Sequence, residues 1–276
     1  MCFRNVASAA FCALPKYYLL EKTHLYFASD FHLGAPHYQS SRDREAVIVA
    51  WLDSIKDTAA ELYLVGDIFD FWFEYATAVP KGFIRLQGKL AELSDNGTKI
   101  YFFKGNHDMW VFDYFKKEFG MEVIDDELII ERAGKRFFIH HGDGLGKGDN
   151  GYKFLKKFFR SGFCQWLFAR LHPNLGIGIA NYWSSKSRLA SSKREGEKPR
   201  EFEESWMRSL YRKIEQEYGA FDYVVMGHRH FPMTMKMRNT TYLNLGEWVN
   251  FSYYAEFDGQ ELRLKEWTGG GADSVQ

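Results

Sequence analysis

Cysteine is scarce in this chain of 276 residues, which has three: Cys2, Cys12 and Cys164. An odd set without metal-type spacing cannot form a fully paired disulfide framework, so a packed core must hold the fold and a reducing, cytoplasmic compartment is expected. Net charge is missing as well, since 36 basic residues balance 36 acidic ones. Together with a 46% hydrophobic composition, that balance excludes a disordered chain and a uniformly basic nucleic-acid coat. The apolar stretch of the leader, Val6 to Leu14, ends before Lys16 and falls short of the ~18 residues a membrane-spanning helix needs. The leader is read as lacking a signal peptide, so membrane contact would be peripheral. Neither an internal repeat nor a low-complexity tract is evident, and GGGADSVQ at the end reads as a loose tail.

What is present is an α/β rhythm. HLYFASD (24–30) and ELYLVGD (61–67) are apolar, aromatic-rich runs ending in an acid, as buried parallel strands do. Between them, Val47, Ile48, Trp51, Leu52 and Ile55 are spaced for one side of a helix. A helix at 81–94, further strand-loop units at 98–108, 135–143 and 221–230, and antiparallel strands after 240 with an Asp258-Gly259 turn complete the pattern. The expected organisation is an N-terminal extension (1–23), one domain (24–266) interrupted by an insertion at 144–200, and a flexible tail (267–276).

Each strand unit ends in chemistry-bearing residues: Asp30-Phe31-His32, Gly66-Asp67, Gly105-Asn106-His107-Asp108, His141-Gly142-Asp143 and Gly227-His228-Arg229-His230. Open α/β sheets place their sites there, beyond the carboxyl ends of the strands. Carboxylates, imidazoles and an Asn carbonyl, without thiolates, suit two divalent ions such as Mn²⁺, Fe²⁺ or Zn²⁺. In an extended backbone, D-x-H at 30–32 and H-x-H at 228–230 place alternate side chains on one side. His140 should point away from His141 as a packing or supporting residue. Asp108 and Asp143 read as turn anchors, and Arg229 either supports its loop or meets substrate.

In that order, DFH, GD, GNHD, HGD and GHRH resemble the calcineurin-like metallophosphoesterase superfamily. The resemblance implies a four-layer α-β-β-α sandwich. It also implies that Asp30, His32, Asp67 and His230 hold one metal, that Asp67, Asn106, His141 and His228 hold the other, and that Asp67 bridges them. Two ions so held would polarise a phosphoryl group and acidify a water for in-line attack on phosphorus. His107 is expected to steady developing charge or donate a proton, with Asp70 accepting its other ring N–H.

Residues 144–200 contain 12 basic and 3 acidic residues with nine aromatics. YKFLKKFFRSGFCQWLFARL reads as one or two short helices, with Phe154, Leu155, Phe158 and Phe159 on an apolar side near Lys153, Lys156, Lys157 and Arg160. Such a segment suits an anionic membrane surface or an acyl chain. A plain helical cap is the bland alternative, and single-stranded nucleic acid is disfavoured because the acidic remainder offers no basic track. Because both ends of the insertion emerge between His141 and His228, it reads as a lid. With DFHLG and GDIFDFWFE, it resembles the UDP-2,3-diacylglucosamine hydrolase family of lipid A synthesis. The resemblance implies a Mn²⁺ enzyme of the cytoplasmic face of the inner membrane, whose substrate is an amphiphilic sugar nucleotide. Trp183-Ser184-Ser185-Lys186-Ser187-Arg188 and Ser192-Lys193 resemble its substrate-contact stretch, with Lys186, Ser187, Arg188 and Lys193 the candidate contacts, whereas its best-known members carry GNRD where this chain has GNHD. Another phosphodiester substrate therefore stays open, with a non-catalytic scaffold a distant third.

Overall fold

A computed structural model describes residues 22–36, 40–145, 150–195, 200–269 and 272–274, with side chains outside the description at 150, 185–195, 200–203 and 272–274. From the first residue of the fold onward, the chain alternates strand and helix: β1 (His24–Ala28), α1 (Ser41–Ile55), β2 (Ala59–Val65), α2 (Ile84–Asp95), β3 (Lys99–Phe103), α3 (Tyr114–Phe119) and β4 (Glu122–Ile124). The four strands pair in parallel. Ser40 caps α1, its side chain accepting from the Asp43 N–H at 3.1 Å, and Ile48, Trp51, Leu52 and Ile55 turn inward as their spacing dictates.

A hairpin of β5 (Glu127–Arg132) and β6 (Lys135–His140) begins a second sheet. The chain then leaves through α4 (Asn150–Phe159), α5 (Gly162–Phe168) and α6 (Pro173–Glu195). It returns by α7 (Arg200–Tyr218) to β7 (Tyr223–Met226), β8 (Met233–Met237) and β9 (Thr240–Asn244). The last strands, β10 (Tyr253–Phe257), β11 (Leu262–Trp267) and β12 (Ala272–Ser274), cross back to the first sheet, whose order is β12-β11-β10-β1-β2-β3-β4; the second is β5-β6-β7-β9-β8.

The strands after His230 are divided between the sheets: β8 and β9 lie in the second, and β10 pairs antiparallel with β1 in the first. Beyond Trp267, where a loose tail was expected, residues 272–274 pair with β11; the tail residues 270, 271, 275 and 276, like the extension 1–21, lie outside the described residues. Helix α7, which no expectation covered, completes the outer layer: Met207, Leu210, Tyr211 and Ile214, spaced for one helical side, pack on Phe138, Val224 and Met226.

The period of two along each strand sorts side chains into layers. Leu25 and Phe27, Tyr63 and Val65, and Tyr101 and Phe103 meet Phe137, Ile139, Tyr223 and Val225 between the sheets. Their neighbours Tyr26, Ala28, Leu62, Leu64, Ile100 and Phe102 pack under α1, α2 and α3. The layers are thus helix, sheet, sheet, helix, and the central strands β1, β2 and β7 are buried on both faces. Phe27, wholly buried, stacks on Tyr63 at 4.7 Å within its sheet and on Phe137 at 6.1 Å across the interface. Phe27→Ala should cost about 3–5 kcal/mol in urea unfolding; a loss below about 1 kcal/mol would contradict a shared inter-sheet core.

Candidate active site

The carboxyl ends of β1, β2 and β3 in one sheet and of β6 and β7 in the other open on one edge of the sandwich. There the chain departs from strand geometry. Among the described residues, eight non-glycine residues have positive φ, and five are candidate ligands: Asp30 (+55°), His32 (+44°), Asp67 (+54°), His228 (+69°) and His230 (+53°). Side chains at 30 and 32, and at 228 and 230, therefore converge through left-handed backbone, not through the extended alternation expected from D-x-H and H-x-H. That conformation is costly for residues with a Cβ and persists only where surrounding contacts dictate it. The Asp30 backbone carbonyl accepts from the Trp248 N–H at 3.1 Å, and the His32 carbonyl accepts from the buried Arg44 guanidinium at 2.8 Å.

The loops approach so closely that side chains are excluded between them. A Cβ on Gly105 would lie 2.1 Å from Asp67 Oδ1, and one on Gly66 would lie 2.5 Å from His141 Nδ1. Asp108 locks the same junction: its buried carboxylate accepts the backbone N–H groups of Asp67, Ile68, Phe69 and Gly105 at 2.8–3.3 Å. It is the turn anchor its position implied. Burial, and then the Asp67 charge, push it up to about 7. His140 points away from the site and its Nδ1 accepts the Gly142 N–H at 2.7 Å, a supporting role.

Two groups of donor atoms meet across Asp67. In the first, His230 Nε2 lies 3.1 Å and His32 Nε2 3.6 Å from Asp30 Oδ1, and the two imidazole nitrogens face each other at 3.1 Å. In the second, His141 Nε2 lies 3.3 Å from Asp67 Oδ2 and 3.3 Å from Asn106 Oδ1, and the His141 and His228 ring centroids are 5.2 Å apart. His32 Nε2 stands 3.9 Å from Asp67 Oδ2, which joins the groups. Asp30, His32 and His230, and likewise Asp67, His141 and His228, each place ligand atoms within 4.8 Å of one another. This donor set fits divalent cations: Asp30 Oδ1 is buried and accepts no hydrogen bond of normal geometry among the described residues, while nitrogens converge on it.

The charges agree. Burial opposes ionisation of Asp67, yet His141 and His107 outweigh it and hold the carboxylate far below the usual range. Burial lowers His32 and His141, but the carboxylates prevail and raise them to about 9 and about 10. A proton on each imidazole thus occupies the place a divalent cation would take. Burial, reinforced by His141, pushes His228 down to about 4, so that ring is a neutral donor.

His107 and Asp70 also come together. The His107 backbone N–H donates to Asp67 Oδ1 at 2.8 Å, and its Nδ1 lies 3.1 Å from the Asp70 carbonyl oxygen and 3.4 Å from Asp70 Oδ1. Asp70 Oδ1 is also 3.7 Å from His32 Nδ1. A pairing that sequence reasoning missed is that of His107 with Ser184 of α6, whose Oγ stands 3.0 Å from His107 Nδ1; the stretch around Ser184 resembles a substrate-contact segment, and nothing in it pointed to the imidazole.

The insertion is fastened beside this cluster. Tyr152 and Lys156 of α4 bind Asp143 Oδ2 at 2.7 and 2.8 Å, and Arg160 binds Asp126 at 2.8 Å. Lys156 and Arg160 are therefore anchors and not part of a free basic face. Phe71, Phe73, Tyr75 and Trp110 pack with Phe159, Cys164 and Phe168, and the Trp110 indole N–H donates to the Phe159 carbonyl at 2.8 Å. Arg229 lies over the Trp206 ring at 5.0 Å, so it braces α7. The side chains of Lys186, Ser187, Arg188 and Lys193 lie outside the described residues.

Comparison with known proteins bears on the same residues. The calcineurin-like phosphoesterase family matches residues 23–232. The chain is 36% identical over 255 residues to a UDP-2,3-diacylglucosamine hydrolase of Porphyromonas gingivalis (strain ATCC BAA-308 / W83), covering 88% of this chain and 97% of that protein. Proteins of the same name from Haemophilus influenzae (strain PittGG) and Tolumonas auensis (strain DSM 9187 / NBRC 110442 / TA 4) are 27% and 26% identical over 228 and 243 residues. Those matches cover 82% and 86% of this chain and 90% and 94% of theirs. With each candidate ligand inside the matched span, the chain belongs to the calcineurin-like phosphoesterase family and is a metal-dependent phosphodiester or pyrophosphate hydrolase.

Proposed function

We propose that the substrate is UDP-2,3-diacylglucosamine, hydrolysed at its pyrophosphate to UMP and 2,3-diacylglucosamine 1-phosphate. The observation that carries this reading is the amphiphilic insertion fastened beside the donor cluster. Phe154, Phe163, Trp166 and Trp183 are 74%, 68%, 54% and 59% exposed, although rings of that size are ordinarily buried. An acylated sugar nucleotide offers both a pyrophosphate for the cluster and chains for such a surface, and the curated relatives carry the name of that activity.

Asp30, His32, Asp67 and His230 would hold one divalent ion, and Asp67, Asn106, His141 and His228 a second, Mn²⁺ by preference; bound there, they supply phosphoryl polarisation and an acidified water. The chain's own residues do the rest. Asp67 serves both groups and fixes the GNHD loop by accepting the His107 N–H. His107, with Nδ1 turned to Asp70, has a ring nitrogen within 4.8 Å of ligand atoms of His32 and Asp67, and its other ring nitrogen would steady charge or give a proton to the leaving group. Lys186, Ser187, Arg188 and Lys193 are proposed substrate contacts. No helix among the described residues is long and apolar enough to cross a membrane. The exposed rings, with Lys153 and Lys157, would rest on the anionic cytoplasmic surface of the inner membrane.

A second reading, a different phosphodiester substrate, is favoured by one feature: His107 stands where a guanidinium would give a planar, bidentate phosphate clamp. A substrate panel separates the two. The Mn²⁺-loaded protein should prefer UDP-2,3-diacylglucosamine to UDP-glucose, cyclic nucleotides and a chromogenic phosphodiester by about 10²-fold in kcat/KM, because burying acyl chains contributes heavily to binding. Equal turnover of UDP-glucose would refute the lipid reading. His107→Ala should keep its metal, measured by plasma emission, while kcat falls about 10²-fold; an unaltered rate at saturating metal would remove His107 from the chemistry.

A further inference from the structure

We infer that Ser184, on the insertion helix α6, is a positioning residue for His107, so that seating of the lid and alignment of the active-site imidazole are one event. The inference rests on the role of His107 proposed above. Around His107 Nδ1 stand the Asp70 carbonyl oxygen at 3.1 Å, Asp70 Oδ1 at 3.4 Å and Ser184 Oγ at 3.0 Å. A carbonyl only accepts, and so does a carboxylate, so the arrangement places the proton on Nδ1 and directs the other ring nitrogen to the site. The Ser184 hydroxyl is the third acceptor, and among the described residues it is the one from the lid.

The seat of α6 makes this contact specific. Ser184 is buried although Tyr182 and Trp183 beside it are 57% and 59% exposed, so the helix turns its one described small polar residue there toward the core. Two turns earlier, Gly176 meets the aromatic cluster at the base of the insertion: a Cβ there would lie 2.7 Å from the Tyr75 hydroxyl and 3.1 Å from the Phe168 ring. The absent side chain lets α6 approach the loop after β2 that also carries Asp70. A glycine notch and a hydroxyl thus fix the helix against the loop whose Asp70 meets the same ring nitrogen of His107. Lid position would then reach the reacting groups through one hydrogen bond, with no ligand of the metal involved.

The test combines a double-mutant cycle with a direct view of the ring. Ser184→Ala should lower kcat about five- to tenfold with little change in KM, as loss of one hydrogen bond to a catalytic ring does, and Ser184→Thr, which keeps the hydroxyl, should restore it to within about twofold. In a His107→Ala background, Ser184→Ala should have no further effect, whereas a serine that only packs the lid would slow both backgrounds alike. On metal-free protein labelled with ¹⁵N-histidine, the His107 resonances, assigned by their loss in His107→Ala, should shift in Ser184→Ala and return in Ser184→Thr. Unchanged His107 shifts, or additive losses in the cycle, would overturn the inference. Neither result depends on which phosphodiester is the natural substrate, and the His107→Ala rate by itself reports on the function reading.

Discussion

The site depends on one buried carboxylate held where burial alone would discharge it. Asp67 lies in left-handed backbone at the end of β2, with His141 and His32 beside it and the His107 N–H bound to it. An isolated ionised carboxylate in that position would be untenable. Its neighbours make it stable, and in turn it keeps two groups of imidazoles apart by an amount fixed by the sandwich. The glycines at 66 and 105 and the carboxylate of Asp108 follow from this requirement, since they let two loops close around Asp67 with their backbone donors satisfied. Strain in the loops is carried by a core whose central strands are buried on both faces.

The insertion is best understood through its attachments. Its base is an aromatic cluster between the loops after β2 and β3, its first helix is tied to Asp143 beside His141, and its third reaches His107 through Ser184. Its outward rings remain exposed. One segment thus meets His107 through Ser184 on one side and leaves its large rings exposed on the other. The same attachments explain why part of the positive charge of 144–200 does not serve a surface: Lys156 and Arg160 neutralise Asp143 and Asp126.

Strand positions and the order of the blocks were legible in the sequence because near-continuous apolar runs such as HLYFA and YVVM fit strands buried on both faces, and each leads into its polar residues. The candidate ligands followed from that placement. How they converge was not legible: D-x-H reads as extended, and the positive φ at Asp30 and His32 arises from contacts with Trp248 and Arg44, distant in the chain. Ser184 looks like any other serine in WSSKS until α6 is placed against the GNHD loop. Helix α7 is mixed with charge, and its apolar side emerges only against β6 and β7. The return of β10 to β1 is a matter of topology, on which local pattern is silent.

The most direct measurement is anomalous diffraction from a Mn²⁺-soaked crystal. Two peaks about 3.5–4 Å apart are expected, one among Asp30, His32 and His230, the other among Asn106, His141 and His228, with the Asp67 carboxylate between them. A single peak, or none with these seven side chains dispersed, would contradict the bridging role of Asp67 and the hydrolytic chemistry built on it.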